Sequence, residues 1–138
     1  MKKVLILCTG NSCRSILAEA LINQAFGERG VIAYSAGSRP SGRVNPNAEK
    51  LLKERGAWDE AYRSKAIDEI KDQGPFDLVV TVCDNAKEAC PVFAGAKRQI
   101  LVGFEDPDGL PYKAFVETAR QIEERLLPVV ERELIVKE

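Results

Sequence analysis

The sequence contains no histidine and no long apolar run, and both absences exclude whole classes of protein. Without histidine, the chain has no Ser-His-Asp or Cys-His catalytic group and no zinc site built on imidazole. The longest apolar stretch near its start, Val4-Leu5-Ile6-Leu7, is far shorter than the ~20 residues of a membrane-spanning helix. Because Met1-Lys2-Lys3 precedes so short a run and no small-residue cleavage site follows, we predict no signal peptide and a cytoplasmic protein.

The chain also lacks an excess of either charge. Its 20 basic and 21 acidic side chains leave a net charge of −1. This balance argues against a nucleic-acid-binding surface and against a polybasic membrane anchor. The 138 residues, 45% of them hydrophobic, predict a single domain over residues 1–138, and we expect a monomer.

Four cysteines are present, and their compartment determines how they are interpreted. Thiols stay reduced in the cytoplasm, so structural disulfides are not expected there. Catalytic, redox-active or metal-bound cysteines are the remaining interpretations.

Short β-rich segments alternate with helical ones along the chain. Strands are predicted over residues 3–7, 31–34, 77–82 and 98–102, and helices over 15–26, 46–55, 64–73, 84–89 and from 112 onward. Residues 35–43 are predicted to form a loop. This order predicts an α/β fold with a small four-stranded parallel sheet flanked by helices on both faces. Ligands of such sheets bind beyond the carboxyl ends of the strands, where Cys8, Cys83 and the loop 103–108 would gather.

The segment from Cys8 to Ser15 follows the first strand and precedes the first helix. Backbone N–H groups of such a loop form a nest for a tetrahedral oxyanion, and Arg14 adds a bidentate donor. A cysteine beside these donors is favoured as thiolate, the nucleophilic form. The predicted oxyanion-binding residues are Thr9, Gly10, Asn11, Ser12, Cys13, Arg14 and Ser15. The alternative is that Cys8 is a buried strand-end residue and Arg14 a solvated helix residue.

Cys83 and Cys90 form a second pair of cysteines, seven positions apart. A helix would separate them by ~10.5 Å, whereas a disulfide needs Cα atoms within ~7 Å. A bond between them would therefore require this segment to loop out. They could instead be two ordinary buried cysteines, or form a zinc site with Cys8 and Cys13, although the spacings fit zinc poorly.

A loop after the fourth strand carries three carboxylates, Glu105, Asp106 and Asp108. Pro107 restricts Asp106 to extended geometry and so fixes where its carboxyl points. The composition of this loop is equally typical of a solvated turn.

Several motifs together resemble one family. The segment Leu7-Cys8-Thr9-Gly10-Asn11-Ser12-Cys13-Arg14-Ser15 is similar to the oxyanion loop of low-molecular-weight tyrosine phosphatases, and the whole chain most resembles their thioredoxin-coupled arsenate reductase relatives. The resemblance includes Tyr34-Ser35-Ala36-Gly37, Val44-Asn45-Pro46 and Glu105-Asp106-Pro107. It implies that Cys8 is the nucleophile, that Arg14 binds the oxyanion and that Asp106 is the general acid. No such support exists for Glu105 or Asp108.

The resemblance also separates two activities. Cys83 and Cys90 match the second and third redox cysteines of the arsenate reductases, and the phosphatases lack this pair. The resemblance to the reductases therefore implies reduction of arsenate to arsenite by a relay from Cys8 to Cys83 to Cys90. Thioredoxin, or glutaredoxin with glutathione, would then reduce the protein again, and no cofactor is expected. The alternatives are a tyrosine phosphatase, a weak phosphatase activity beside the reductase, and a thiol redox sensor or metal-binding module.

Some relatives bind potassium near the loop, through residues that match Asn11, Glu19 and Ser35 and a fourth, acidic residue. This chain has Arg63-Ser64-Lys65-Ala66 around the fourth position. Lys65 either supplies the positive charge itself or is a solvated surface lysine.

Overall fold

The computed structural model describes residues 1–84, 93–94 and 96–135. Its centre is a four-stranded sheet in which every pairing is parallel, with the strand order β2-β1-β3-β4. This confirms the predicted parallel α/β fold. The strands are β1 (Lys2–Cys8), β2 (Val31–Gly37), β3 (Leu78–Thr81) and β4 (Gln99–Leu101).

Helical segments cover the sheet. The α-helices are α1 (Arg14–Phe26), α2 (Pro46–Glu54), α3 (Tyr112–Gln121) and α4 (Leu127–Leu134), with 3₁₀ turns over Gly27–Arg29 and Ile67–Gln73. The predicted start of α2 is confirmed, because the Asn45 side chain caps it and Pro46 occupies the first turn.

Side chains of β1 alternate between two buried clusters, so the sheet has a core on each face. Val4, Ile6 and Cys8 pack in the larger cluster with the buried residues of all four α-helices. Leu5 and Leu7 pack in the smaller one with Ile70 of the second 3₁₀ turn. Cys8 therefore belongs to the face that the α-helices cover.

β2 runs three residues further than the sequence predicts. Residues 35–37 were expected to open a loop, but they pair with the last three residues of β1. Ser35, Ala36 and Gly37 are all buried, and their small size lets the loop after β1 approach closely. Serine and glycine favour loops in an isolated sequence, but here packing determines the conformation.

The final helical region begins at Tyr112, as predicted, and it contains one irregularity. A π-helical segment over Ile122–Leu126 joins α3 to α4 just before Pro128. Proline has no N–H and clashes with the carbonyl four residues earlier, so regular helical bonding cannot continue there. The buried row is Phe115, Ala119, Ile122, Leu126 and Val130.

Of the predicted short helix over residues 84–89, only residue 84 lies within the described residues. Cys90 lies outside them. Within the described part of the chain, no helix has the length and apolar character needed to cross a membrane.

Candidate active site

The loop between β1 and α1 joins the end of a strand to the start of a helix, the arrangement that its sequence predicts. Cys8 ends β1, Cys13 caps α1, and Arg14 begins that helix. The positive φ that the turn requires falls on Asn11, at 48°, which is one of the few residue types that adopt it readily. The loop thus lies at the positive end of α1, a position that favours an anion.

The sulfur of Cys8 is buried and lies between two hydrogen-bond donors. The backbone N–H of Asn11 donates to Cys8 Sγ over 3.2 Å, and the hydroxyl of Ser15 lies 2.9 Å from the same atom. Only 2% of Cys8 is exposed, and it is a free cysteine. A thiolate at this position would keep both hydrogen bonds.

A small cavity of about 110 Å³ opens above Cys8. That is the volume of about three or four water molecules, which suits a small tetrahedral oxyanion. Thr9 and Ser15, although predicted to bind the oxyanion, do not line it; Ser15 instead contacts the sulfur of Cys8. The lining residues are Cys8, Gly10, Asn11, Ser12, Cys13, Arg14, Ser41, Asp106 and Asp108.

Arg14 and Asp106 meet at this cavity. One guanidinium nitrogen of the buried Arg14 donates to the carbonyl of Phe104 over 3.1 Å. The other lies 3.6 Å from Asp106 Oδ2. The Asp106 side chain is 49% exposed, so it stands at the mouth of the cavity, where a leaving oxygen would depart. The structure thus brings Cys8, Arg14 and Asp106 together, as predicted.

A buried hydrogen-bond network holds the loop from behind. Asn11 Nδ2 donates to Ser15 Oγ over 2.7 Å and to Ser35 Oγ over 3.0 Å. Asn11 Oδ1 accepts from the backbone N–H of Lys65 over 2.8 Å. Ser35 Oγ in turn donates to Glu19 Oε1 over 2.5 Å. Asn11, with its positive φ, is therefore held by three separate segments of the chain.

Glu19 and Lys65 are both buried behind the loop, so Lys65 is not a solvated surface lysine. Burial raises the pKa of Glu19 to about 7, although the Lys65 charge and the Ser35 hydrogen bond act in the opposite direction. Burial also lowers the pKa of Lys65, partly offset by the Glu19 charge. The Lys65 charge already acts on Glu19, and the side-chain oxygen and nitrogen of Asn11 bond to protein partners. The arrangement therefore does not fit a bound potassium ion.

Cys83 lies close to Cys8 in the sheet. Leu7 pairs with Thr81, and the N–H of Val82 donates to the Leu7 carbonyl over 2.9 Å, so Cys83 comes one residue beyond the position beside Cys8. Its side chain is fully buried and does not line the cavity. Cys83 is disulfide-bonded in the structure, whereas Cys8 and Cys13 are free.

Sequence reasoning assigned Asp108 no role in the site, and it singled out Asn45 only within the motif Val44-Asn45-Pro46. The structure places Asp108 in the cavity wall, where its Oδ1 accepts from Asn45 Nδ2 over 2.8 Å. The same oxygen lies 3.8 Å from Cys13 Sγ. Burial and the nearby Asp106 and Asp108 charges raise the pKa of Cys13, so it remains a thiol that can donate. No local pattern joins residues so far apart in the sequence.

Comparisons with known proteins agree with this geometry. The chain is 39% identical to an arsenate reductase of Bacillus cereus over 125 residues, 91% of each chain. The arsenate reductase structure from Archaeoglobus fulgidus superposes with a TM-score of 0.79 and 34% identity, covering 92% of this chain and 98% of that one. A thioredoxin-dependent arsenate reductase from Corynebacterium glutamicum superposes with a TM-score of 0.68 and 25% identity, covering 96% of this chain and 63% of that one.

A family comparison covers nearly the whole length of the chain. Residues 3–134 match the family described as low molecular weight phosphotyrosine protein phosphatase. This span includes every described residue of the oxyanion loop and of the Asp106 loop. The chain belongs to the low-molecular-weight phosphotyrosine protein phosphatase family.

Proposed function

We propose that this protein is a cytoplasmic arsenate reductase, acting as a single domain, that converts arsenate to arsenite through Cys8, Cys83 and Cys90. The observation that carries the proposal is the position of Cys83 next to the end of β1, one residue past the place beside the nucleophile Cys8. A phosphatase needs the oxyanion loop but has no use for a second cysteine there. The names of the relatives support the same substrate.

The first step uses the loop. Arsenate, which resembles phosphate in shape and charge, binds to the loop N–H groups and Arg14. The Cys8 thiolate attacks arsenic and forms a sulfur–arsenic bond. An oxygen of arsenate leaves as water, with a proton from Asp106.

The second step transfers two electrons. The Cys83 thiolate attacks Cys8 Sγ, the sulfur–arsenic bond breaks, and its electron pair remains on arsenic, which leaves as arsenite. A Cys8–Cys83 disulfide remains. Cys90 then attacks Cys83, which releases Cys8 as a thiol and moves the disulfide to Cys83 and Cys90. A Cys8 thiol that is free while Cys83 is disulfide-bonded is compatible with this last stage.

An external dithiol must then reduce the protein by thiol–disulfide exchange. Thioredoxin is the reductant we propose, since one structural relative is described as thioredoxin-dependent. Glutaredoxin with glutathione is the alternative, and an assay that offers each system in turn distinguishes them.

The test of the relay is mass spectrometry of single Cys→Ser variants after one exposure to arsenate. Cys90→Ser should trap a Cys8–Cys83 disulfide, because the third thiol is missing. Cys83→Ser is the matched control and should trap no protein disulfide. The relay is wrong if Cys90→Ser reduces arsenate without accumulating that bond.

A phosphatase activity is the second candidate, favoured by the family match and by the cavity that Cys8, Arg14 and Asp106 share. Hydrolysis of p-nitrophenyl phosphate, measured beside arsenate reduction, compares the two. Cys83→Ala should abolish arsenate turnover and leave hydrolysis of the ester unchanged. If arsenate is not reduced by the wild type and the ester is hydrolysed efficiently, the protein is a phosphatase.

A further inference from the structure

Arg14 alone does not fix the Asp106 carboxylate. Its side chain is half exposed, and its Oδ2 lies 3.6 Å from the nearest Arg14 nitrogen, beyond a strong hydrogen bond. A general acid acts only when its proton is within hydrogen-bond reach of the leaving oxygen. A freely rotating carboxylate at the cavity mouth would spend little time there.

Asp108 supplies one fixed contact. Its backbone N–H donates to Asp106 Oδ1 over 3.0 Å, which fixes one carboxylate oxygen. The other oxygen, Oδ2, is left on the Arg14 side, where a proton can pass to the ligand. Asp108 can hold Asp106 in this way only if Asp108 is itself held.

Asn45 is the residue that holds Asp108. Its Nδ2 donates to Asp108 Oδ1 over 2.8 Å, while its Oδ1 accepts from the Asn47 N–H over 2.8 Å at the start of α2. Its backbone N–H donates to the Ser12 carbonyl over 3.1 Å. One residue therefore joins three segments: its side chain contacts the first turn of α2 and the Asp106 loop, and its backbone contacts the oxyanion loop.

We propose that Asn45 and Asp108 are positioning residues that fix the Asp106 carboxyl over the oxyanion loop. Neither residue transfers a proton or bonds to arsenic. The inference rests on the acid role of Asp106 in the proposed function. It explains why a helix-capping asparagine and a second carboxylate lie beside a cavity whose chemistry needs only one acid.

The experiment is a single turnover of the fully reduced protein at a series of arsenate concentrations. The loss of free thiols measures its rate. No external reductant is needed for this measurement. Asn45→Asp is the informative change, since aspartate caps α2 equally well but places a carboxylate against Asp108. We expect the rate at saturating arsenate to fall about 10- to 100-fold, with the half-saturating concentration within about twofold of wild type.

Asn47→Asp is the matched control, because it adds the same charge in the same turn of α2 without contacting the Asp106 loop, and it should keep the wild-type rate. Asp108→Ala is a second variant, in an exposed loop side chain, and should show the same loss as Asn45→Asp. Both losses should disappear in an Asp106→Asn background, where no acid remains to be positioned.

The inference is wrong if Asp106→Asn slows turnover while Asn45→Asp and Asp108→Ala both keep the wild-type rate. It is also wrong if the losses in these two variants persist in the Asp106→Asn background. If the wild type does not reduce arsenate, the proposed function fails instead. Phenyl phosphate hydrolysis, whose poor leaving group needs the same proton, then tests the positioning role with the same variants.

Discussion

Arg14 makes several contacts with one side chain, and we expect that a lysine would not reproduce them. Its guanidinium faces the cavity, donates to the Phe104 carbonyl and approaches Asp106, all while almost fully buried. A lysine keeps the charge but has no planar fork for two oxyanion oxygens. We expect Arg14→Lys to lower kcat/KM for arsenate by about 10²- to 10³-fold, the cost of losing an oxyanion donor.

The matched control for Arg14→Lys is Arg29→Lys, an exposed arginine paired with Glu131 far from the site. Steady-state reduction of arsenate should be normal in that variant. Equal losses in both variants would mean that the loss in Arg14→Lys does not come from a missing oxyanion donor.

Glu19 makes stability depend on pH in an unusual direction. The pKa of Glu19 is raised by burial from 4.5 to about 7, so the folded protein holds this proton more tightly than the unfolded chain. Stability therefore falls as pH rises from about 4.5 to about 7 and is level above that, as far as this group is concerned. Between these pH values, ionisation of Glu19 lowers the free energy of unfolding by on the order of 3 kcal/mol.

Glu19→Gln tests this pH dependence, because glutamine still accepts from Ser35 but does not ionise. Urea unfolding at several pH values should show a flatter profile between pH 4.5 and 7 than in the wild type. Glu28→Gln, at an exposed glutamate, should leave the wild-type slope. An unchanged slope in Glu19→Gln would mean that Glu19 ionises normally in the folded protein.

At the scale of elements, β2 limits the space available to the oxyanion loop through Gly37. A Cβ at Gly37 would lie 2.5 Å from the Thr9 carbonyl oxygen and 3.0 Å from the Asn11 Cβ. Gly37 has no positive φ, so its backbone conformation does not require glycine. Glycine is needed here because the neighbouring loop approaches too closely for a side chain. The sequence interpretation treated Gly37 as a loop residue and did not detect this requirement.

Gly37→Ala should therefore displace the loop that carries Cys8. We expect a loss of about 1–3 kcal/mol in the free energy of unfolding and a larger proportional loss of arsenate turnover. Gly27→Ala is the control, since a Cβ there meets nothing within 4 Å, and it should be neutral or slightly stabilising. Normal turnover in Gly37→Ala would mean that the loop tolerates the displacement.

Local patterns predict the elements of this fold well, and they predict less about its contacts. The strand, loop and helix around Cys8 follow from hydrophobic periodicity and turn residues, which are local properties. The bond between Asn45 and Asp108 spans 63 positions, and the one between Asn11 and Lys65 spans 54. Such pairs depend on how the sheet brings distant loops together, so no local pattern contains them.

At the scale of the whole molecule, the site is the place where four distant segments meet. The loop after β1, the loop after β2 and the Asp106 loop all border the cavity, while the segment with Lys65 bonds to the loop after β1 from behind. An oxyanion bound at the centre contacts the elements of this assembly only when the chain is folded. Its binding free energy therefore adds to the stability of the entire domain.

Phosphate should accordingly stabilise the reduced protein without being turned over. At a phosphate concentration 100 times its Kd, the gain is about 2.7 kcal/mol, which raises Tm by several degrees for a chain of this length. Thermal unfolding across a phosphate series, at constant ionic strength and with a reductant present, measures the gain. Arg14→Lys should reduce it, whereas Arg29→Lys should not. A shift that chloride reproduces, or that Arg14→Lys leaves unchanged, would place the phosphate elsewhere than in the loop around Cys8.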